Sequence, residues 1–191
     1  MDIYNNDGYI IDPRFPDNKI HSTAIIGSNV KIGKKNIILP YAVIGQAGFN
    51  RDGKDPQGTV EIGDNNSIGC YVNIMAGEYG KTFIGNNNLL MNHSNIGHNV
   101  FIADNSEIGA GSILNGFSVI GSNVKIKSGC IIRNRIEIVD DVILGQASNL
   151  VKSIEAPGVY FGNPAKLKVL KRLEEWDYQL VILFLMVANY L

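Results

Sequence analysis

The stretch NIGHNVFIADNSEIGAGSILNGFSVIGSNVKIKSGCII (residues 95–132) places isoleucine or leucine at every sixth position, beginning at Ile96. The same step runs without a break from Ile84 to Leu150. An earlier series, interrupted once, runs from Ile20 to Ile74. The repeating positions are Ile20, Ile26, Ile32, Ile38, Ile44, Ile62, Ile68, Ile74, Ile84, Leu90, Ile96, Ile102, Ile108, Leu114, Ile120, Ile126, Ile132, Ile138, Leu144 and Leu150.

A period of six fits neither an α-helix, with its period of 3.6, nor one long alternating strand. It fits short strands joined by tight turns, in which one apolar residue per strand points into a narrow core. Three such strands make a coil of eighteen residues, and parallel strand pairing stacks the coils about 4.8 Å apart. The pattern predicts an all-β fold, a left-handed parallel β-helix of about seven coils.

Glycine often follows the repeating residue, and asparagine is frequent in the turns. We expect both residue types to relieve the strain of positive φ there. The asparagines concerned are Asn29, Asn65, Asn86, Asn105 and Asn123.

Two interruptions of the repeat predict external loops. Residues 46–59 are rich in turn-forming and charged residues, and residues 76–81 hold the four-residue offset between the two series. Residues 1–19 form an N-terminal cap segment, and the β-helix spans 20–152. Residues 153–191 form an exit loop followed by a C-terminal helix, in which apolar residues recur at helical spacing from Leu167. This helix either covers the open end of the sheets or lies on a membrane surface.

Composition limits the function classes. A formal net charge of −1 does not suggest nucleic-acid binding. Cys70 and Cys130 match no metal-binding spacing and indicate reduced thiols, the N-terminus lacks the features of a signal peptide, and the apolar run 180–188 is too short to span a membrane. A cytoplasmic protein without a permanently bound cofactor is the expectation.

The segments TVEIGDNNSIGCYVNI, IGNNNLLMNHSNIGHNVFIADNSEIGAGSILNG and SIEAPGVYFGNPAK resemble the hexapeptide-repeat acyltransferases. They are similar to the lipid A UDP-N-acetylglucosamine O-acyltransferases, the glucosamine N-acyltransferases and the sugar N-acetyltransferases. The resemblance covers roughly residues 20–166. It implies a homotrimer with active sites between neighbouring β-helices, and it implies an acyl-CoA such as acetyl-CoA, or an acyl-carrier protein, as co-substrate.

The resemblance also implies the catalytic residues. His98, on the turn after Ile96-Gly97, matches the general base of the family, and a neutral imidazole can accept a proton near neutral pH. Gly116, one coil further, matches the glycine whose N–H stabilises the oxyanion. Where the O-acyltransferases carry an Asp after the base, this chain has Asn99, as the N-acyltransferases do.

Further residues are candidates for binding. Residues expected to contact the acceptor are His93, Asn95, Asn99, Asn50 and Arg51, and residues expected to contact the donor are Lys152, Asn163 and Lys166. The expected acceptor is the hydroxyl or amine of a sugar, in particular a nucleotide-linked amino sugar of surface-polysaccharide or lipopolysaccharide synthesis.

A different reading treats His93 and His98 as metal ligands, because the γ-carbonic anhydrases share this fold and that spacing. Zinc requires at least three protein ligands, and the position where a third histidine is needed holds Gln57. We therefore expect no metal site. A γ-carbonic-anhydrase-like enzyme and a non-catalytic hexapeptide scaffold remain the alternatives.

Overall fold

A computed structural model of the chain describes residues 8–47 and 58–170. In these ranges the chain forms strands and turns and contains no helix. In chain order, the strands are β1 (Tyr9–Ile10), β2 (Lys19–His21), β3 (Ile25–Ile26), β4 (Val30–Ile32), β5 (Ile37–Ile38), β6 (Val43–Gln46), β7 (Thr59–Ile62), β8 (Ser67–Ile68), β9 (Asn73–Met75), β10 (Lys81–Ile84), β11 (Leu89–Leu90), β12 (Asn95–Ile96), β13 (Phe101–Ile102), β14 (Glu107–Ile108), β15 (Ile113–Leu114), β16 (Val119–Ile120), β17 (Lys125–Ile126), β18 (Ile131–Ile132), β19 (Glu137–Ile138), β20 (Val142–Leu144), β21 (Asn149–Leu150), β22 (Gly158–Gly162) and β23 (Ala165–Leu170).

Three sheets form the faces of a triangular prism. Sheet 1 has the order β1-β2-β5-β8-β11-β14-β17-β20-β22-β23, sheet 2 the order β3-β6-β9-β12-β15-β18-β21, and sheet 3 the order β4-β7-β10-β13-β16-β19. The chain visits sheets 1, 2 and 3 in turn, and strands one coil apart pair in parallel. This arrangement confirms the predicted parallel β-helix of about seven coils.

The repeating Ile and Leu residues fill the core as predicted. All of them are buried except Ile26 and Ile32, which are partly buried and pack against the core. Cys130 is also buried, as its position in the repeat predicts, and burial raises the pKa of its thiol. The apolar column is therefore continuous along the coils that the structure describes.

Both interruptions are insertions between regular strands. Ile32 pairs with Ile62 and Ile62 pairs with Ile84, so the register resumes on sheet 3 after each insertion. Of the first predicted loop, residues 48–57 lie outside the described residues. The second loop connects β9 to β10, and Tyr79 at its tip is 82% exposed.

The expected use of glycine and asparagine was wrong in part. At most turns positive φ falls three residues after the repeating Ile or Leu, as at Asn65, Asn105 and Asn123. Asn86 lies only two residues after Ile84 and does not have it, and Asn29, three residues after Ile26, does not have it either. The glycines that directly follow the repeating residue serve close packing instead. A Cβ on Gly97, for example, would lie 2.8 Å from the Leu114 carbonyl oxygen of the next coil.

The C-terminal part of the prediction also needs correction. Residues 167–170 belong to β23, which pairs antiparallel with β22, so no helix begins at Leu167. The alternation of Lys166 and Lys168 with Leu167 and Val169 has a period of two, which suits a strand. Residues 171–191 of the predicted helix lie outside the described residues.

Antiparallel strands lie at both ends of sheet 1. At the first coil β1 pairs with β2, and at the last coil the β22–β23 hairpin extends the sheet. These strands occupy the hydrogen-bonding edges that the stacked coils leave open. No helix in the described part of the chain is long and apolar enough to cross a membrane.

Candidate active site

His98 lies at the corner between sheets 2 and 3, on the turn that joins β12 to β13. Ile96 before it and Val100 after it are fully buried and fix the turn, while Asn99 has a φ of 58°. Asparagine tolerates this left-handed conformation better than most residues. The His98 side chain is consequently held outside the core and is 27% exposed.

The hydrogen bonds of Asn99 determine the tautomer of His98. Asn99 Oδ1 accepts the Glu78 N–H at 2.6 Å, and Asn99 Nδ2 donates to the Glu78 carbonyl oxygen at 3.4 Å. His98 Nδ1 lies 3.1 Å from the same Oδ1. Because that oxygen can only accept, Nδ1 carries the hydrogen and Nε2 carries the lone pair. The lone pair of Nε2 is thus available to accept a hydrogen bond or a proton.

Gly116 lies directly beneath His98, one coil along. The Phe117 N–H donates to the His98 carbonyl oxygen at 3.0 Å, which fixes the spacing of the two turns. A Cβ on Gly116 would lie 2.6 Å from both Cε1 and Nε2 of His98. The imidazole therefore covers Gly116, and only glycine leaves room for it.

The backbone N–H of Gly116 has no acceptor in the part of the chain that the structure describes. At equivalent turns a side chain of the next coil accepts this N–H, as Asp104 does for Asn86 at 2.7 Å and Asp140 does for Ser122 at 2.7 Å. The residue in the capping position for Gly116 is Asn134, one coil further along, and no hydrogen bond between the described residues joins the two. The candidate site thus combines a lone pair on Nε2 with a nearby backbone donor that no side chain occupies.

Charged and aromatic groups continue the column below His98. The Phe117 ring meets His98 edge to face with centroids 5.1 Å apart, and the Arg135 guanidinium lies 4.4 Å from the centroid of the Phe117 ring. Lys152 follows His98 by three coils on the same corner, about 14 Å along the axis. This corner is therefore cationic towards the C-terminal end, which suits phosphate groups. Arg135 follows Phe117 by one coil and belongs to the basic stretch 133–135, which the sequence marks as a candidate contact for the phosphates of the donor.

A carboxylate that the sequence did not predict also approaches His98. Glu78, on the loop between β9 and β10, places Oε2 3.9 Å from Nδ1, and its side chain is 35% exposed. The loop contains the four-residue insertion, so the six-residue repeat does not predict where Glu78 lies. Only its closeness to His98 in space identifies it.

His93 lies on a different corner, between sheets 1 and 2. Its ring stacks on Tyr71 with centroids 4.9 Å apart, and Tyr71 stacks on Tyr41 at 5.0 Å. The two imidazoles therefore lie at different corners of the β-helix. Within the described ranges, no group of three or more His, Cys, Asp or Glu residues could hold a metal ion.

The other candidate acceptor residues are only partly assembled. Asn95 lies on β12 between the two histidine corners, and its Oδ1 accepts a hydrogen bond from Asn73 Nδ2 at 2.8 Å. Asn50 and Arg51 lie outside the described residues. A groove of about 310 Å³ on sheet 1, lined in part by Met91 and Asn92, opens away from the corner of His98.

The candidate donor-binding residues lie near the C-terminal end. Lys152 and Lys166 are exposed, and Asn163 accepts a hydrogen bond from Asn149 Nδ2 at 3.2 Å, which ties the β22–β23 hairpin to the end of sheet 2. Other lysines nearby, such as Lys127, face Glu107 on sheet 1 and are not part of this corner.

Comparisons with known proteins confirm the resemblance predicted from the sequence. The family description "Bacterial transferase hexapeptide (six repeats)" matches residues 81–116, which include both His98 and Gly116. Over 76 residues the chain is 38% identical to an acyl-[acyl-carrier-protein]–UDP-N-acetylglucosamine O-acyltransferase of Rickettsia canadensis. That match covers 38% of this chain and 29% of the relative, so the chain matches less than a third of the length of this curated relative.

Solved structures show the same fold. The UDP-N-acetylglucosamine acyltransferase of Bacteroides fragilis superimposes with a TM-score of 0.77 at 30% identity, over 81% of this chain and 61% of the other. The GDP-perosamine N-acetyltransferase of Caulobacter crescentus, in complex with CoA and GDP-perosamine, superimposes with a TM-score of 0.52 at 16% identity, over 79% of this chain and 56% of the other. The second likeness concerns the fold alone.

Proposed function

We propose that this hexapeptide-repeat protein is an acyltransferase that moves an acyl group from acyl-CoA or acyl-carrier protein to a hydroxyl or amine of a sugar. The sugar is a nucleotide-linked amino sugar of surface-polysaccharide or lipopolysaccharide synthesis. The relatives support a nucleotide-sugar acceptor, since the matched Rickettsia canadensis protein and the Bacteroides fragilis structure are both acyltransferases of UDP-N-acetylglucosamine. The observation that carries the proposal is the imidazole of His98, with Nε2 free to accept a proton, lying over Gly116.

In the first step, Nε2 of His98 accepts the proton of the sugar hydroxyl or amine while the oxygen or nitrogen attacks the thioester carbonyl carbon. The carbonyl oxygen becomes an oxyanion, which accepts a hydrogen bond from the unpaired backbone N–H of Gly116. The C–S bond then breaks, and the leaving sulfur takes the proton from the His98 imidazolium. The neutral base is regenerated, and the products are the acylated sugar and a thiol.

The cationic corner supports the following assignment of the binding residues. Lys152, Lys166 and Asn163 hold the phosphopantetheine arm and its phosphates, and Arg135 adds a further cation to the same column. Asn95, Asn99 and His93 contact the acceptor, and Asn50 and Arg51, outside the described residues, are assigned to the same role from the sequence resemblance. A single β-helix leaves this corner open to solvent, and a homotrimer closes it with the face of a neighbouring copy.

Replacement of His98 by glutamine tests the proposal. With acetyl-CoA or acyl-carrier protein and a panel of UDP-, GDP- and dTDP-amino sugars, His98→Gln lowers the rate of thiol release by about 100-fold or more. His21→Gln is the matched control, because His21 Nδ1 lies 2.8 Å from Thr23 Oγ1 at a distant turn. An unchanged rate in His98→Gln contradicts the mechanism and favours a non-catalytic scaffold.

Metal analysis of the same preparation tests the remaining alternative. The proposed reaction needs no metal, so the purified protein transfers acyl groups after treatment with a chelator. Stoichiometric zinc together with hydration of CO₂ would instead favour a γ-carbonic-anhydrase-like enzyme.

A further inference from the structure

We infer that Glu78 is a positioning residue of this site, which stabilises the protonated form of His98 during acyl transfer. The inference rests on the proposed function of His98 as the base. It adds a carboxylate from an inserted loop, at a position that the six-residue repeat does not define. Three features of the structure carry it.

The first feature is the rigid attachment of the loop. On one side Gly77 N–H donates to the Thr59 carbonyl oxygen at 3.2 Å, and Thr59 N–H donates to the Gly80 carbonyl oxygen at 2.9 Å. On the other side Glu78 N–H donates to Asn99 Oδ1 at 2.6 Å. The loop is therefore held between the preceding and the following coil, and the position of Glu78 is set by backbone hydrogen bonds.

The second feature is the double use of Asn99. Its Oδ1 receives the Glu78 N–H and lies 3.1 Å from His98 Nδ1, so one amide joins the loop to the base. The Asn99 N–H in turn donates to Oγ1 of the buried Thr82 at 2.9 Å. Asn99 thereby fixes both the tautomer of His98 and the place of the Glu78 backbone.

The third feature is the charge. Glu78 Oε2 lies 3.9 Å from Nδ1, too far for a hydrogen bond but close enough for an attractive interaction with an imidazolium. Asn99 is neutral, whereas the O-acyltransferases that the sequence resembles have an aspartate directly after the base. In this chain the negative charge beside Nδ1 comes from the loop.

This arrangement favours the intermediate over the free enzyme. His98 is neutral before the reaction and positively charged while it holds the proton of the acceptor, so a fixed carboxylate lowers the energy of the charged state. Loss of the charge slows the chemical step and leaves the binding of both substrates unchanged. The effect falls on kcat and not on KM.

Glu78→Gln removes the charge and keeps the shape of the side chain. We expect kcat to fall about tenfold, the order of one interaction between partly exposed charges, while KM for donor and acceptor stays within about twofold. Glu107→Gln is the matched control, because Glu107 also has a side chain that is 35% exposed and faces lysines on sheet 1. Equal kcat values for the two variants would overturn the inference.

A second substitution separates charge from structure. In Glu78→Gln/Asn99→Asp, the aspartate keeps an acceptor for the backbone N–H of residue 78 and supplies a carboxylate beside Nδ1. It also tolerates the positive φ of residue 99. We expect kcat to recover to within about threefold of the unmodified protein. If the double variant keeps its KM for the acceptor and its melting temperature while kcat does not recover, Glu78 does not act through its charge.

Spectroscopy gives a readout that is independent of turnover. The chain contains three histidines, so ¹⁵N-histidine labelling with His21→Gln and His93→Gln assigns the ring signals of His98. We expect the Nδ1–H tautomer in the neutral ring of both the unmodified protein and Glu78→Gln, since Asn99 sets it. A change of tautomer in Glu78→Gln would contradict an action through charge.

The two variants show whether the inference about Glu78 or the proposed function itself has failed. If His98→Gln retains its rate, the acyl-transfer mechanism itself is wrong. If His98→Gln is inactive while Glu78→Gln matches Glu107→Gln, only the inference about Glu78 is wrong.

Discussion

The imidazole of His98 lies against the Cα of Gly116, and a Cβ on Gly116 would come within 2.6 Å of Nε2. The two residues are eighteen positions apart and meet because consecutive coils stack at the same corner. Gly116 has two properties at this corner. It leaves space for the imidazole of His98, and no side chain of the described residues accepts its backbone N–H.

Gly116→Ala therefore impairs the site more than the fold. The three heavy atoms nearest to the added methyl group all belong to the ring of His98. We therefore expect the ring to move, kcat to fall about 100-fold and the melting temperature to change little. Gly121→Ala is the counterpart, because its methyl group would meet the backbone of Asp140 at 2.7 Å. For Gly121→Ala we expect a lower melting temperature, and we expect the fraction that stays folded to keep its activity. Thermal unfolding and thiol release measured on both variants check the contrast.

His93→Gln tests the separation of the two histidine corners. Because His93 stacks on Tyr71 at another corner, we expect kcat to remain within about twofold, whereas His98→Gln loses about 100-fold. A contact with the acceptor appears as a raised KM for the sugar. A loss of kcat as large as that of His98→Gln would show that the two histidines act together.

A column of buried asparagines secures the corner between sheets 3 and 1. Asn66 Oδ1 accepts the Asn88 N–H at 2.8 Å, and Asn66 Nδ2 donates to the Gly85 carbonyl oxygen at 2.9 Å. Asn66→Ala leaves both partners buried and unpaired, so we expect the free energy of unfolding to fall by about 1–3 kcal/mol. Urea denaturation measures it. The exposed Asn134, replaced by alanine, serves as the control and is expected to change stability by less than about 0.5 kcal/mol.

The two cysteines differ in accessibility. Cys130 is fully buried, its Sγ donates to the Gly145 carbonyl oxygen at 3.1 Å, and burial raises the pKa of its thiol. Thiolate is the reactive form, so a raised pKa lowers the reactive fraction at any pH below it. We expect iodoacetamide at pH 8 to modify the partly exposed Cys70 and to spare Cys130 in the folded protein. Mass spectrometry detects the modification, and both cysteines react after denaturation.

Much of the architecture could be predicted because the six-residue period is a direct consequence of strand geometry. Each Ile or Leu in phase is a core residue, and each step of eighteen returns to the same corner. The step of eighteen predicted that Gly116 lies below His98, one coil along. The six-residue period also placed Cys130 in the core.

The errors arose where local propensity was used without the contacts between coils. Positive φ was assigned to Asn86, but the neighbouring Asn87 has it, because the turn geometry selects the position and not the residue type. The segment from Leu167 has apolar residues at helical spacing, yet β23 forms because the free edge of β22 offers hydrogen bonds. Tertiary pairing decided both cases.

The sequence by itself determined which residues share a core, a sheet and a corner, because a strict repeat converts position along the chain into position in space. It could not determine what the loop between β9 and β10 brings to the site, because an insertion has no phase in the repeat. Only the tertiary structure placed Glu78 beside Nδ1 of His98 and gave Asn99 hydrogen bonds to both. Those contacts depend on the hydrogen bonds that hold the loop between two coils, and these form only in the folded chain.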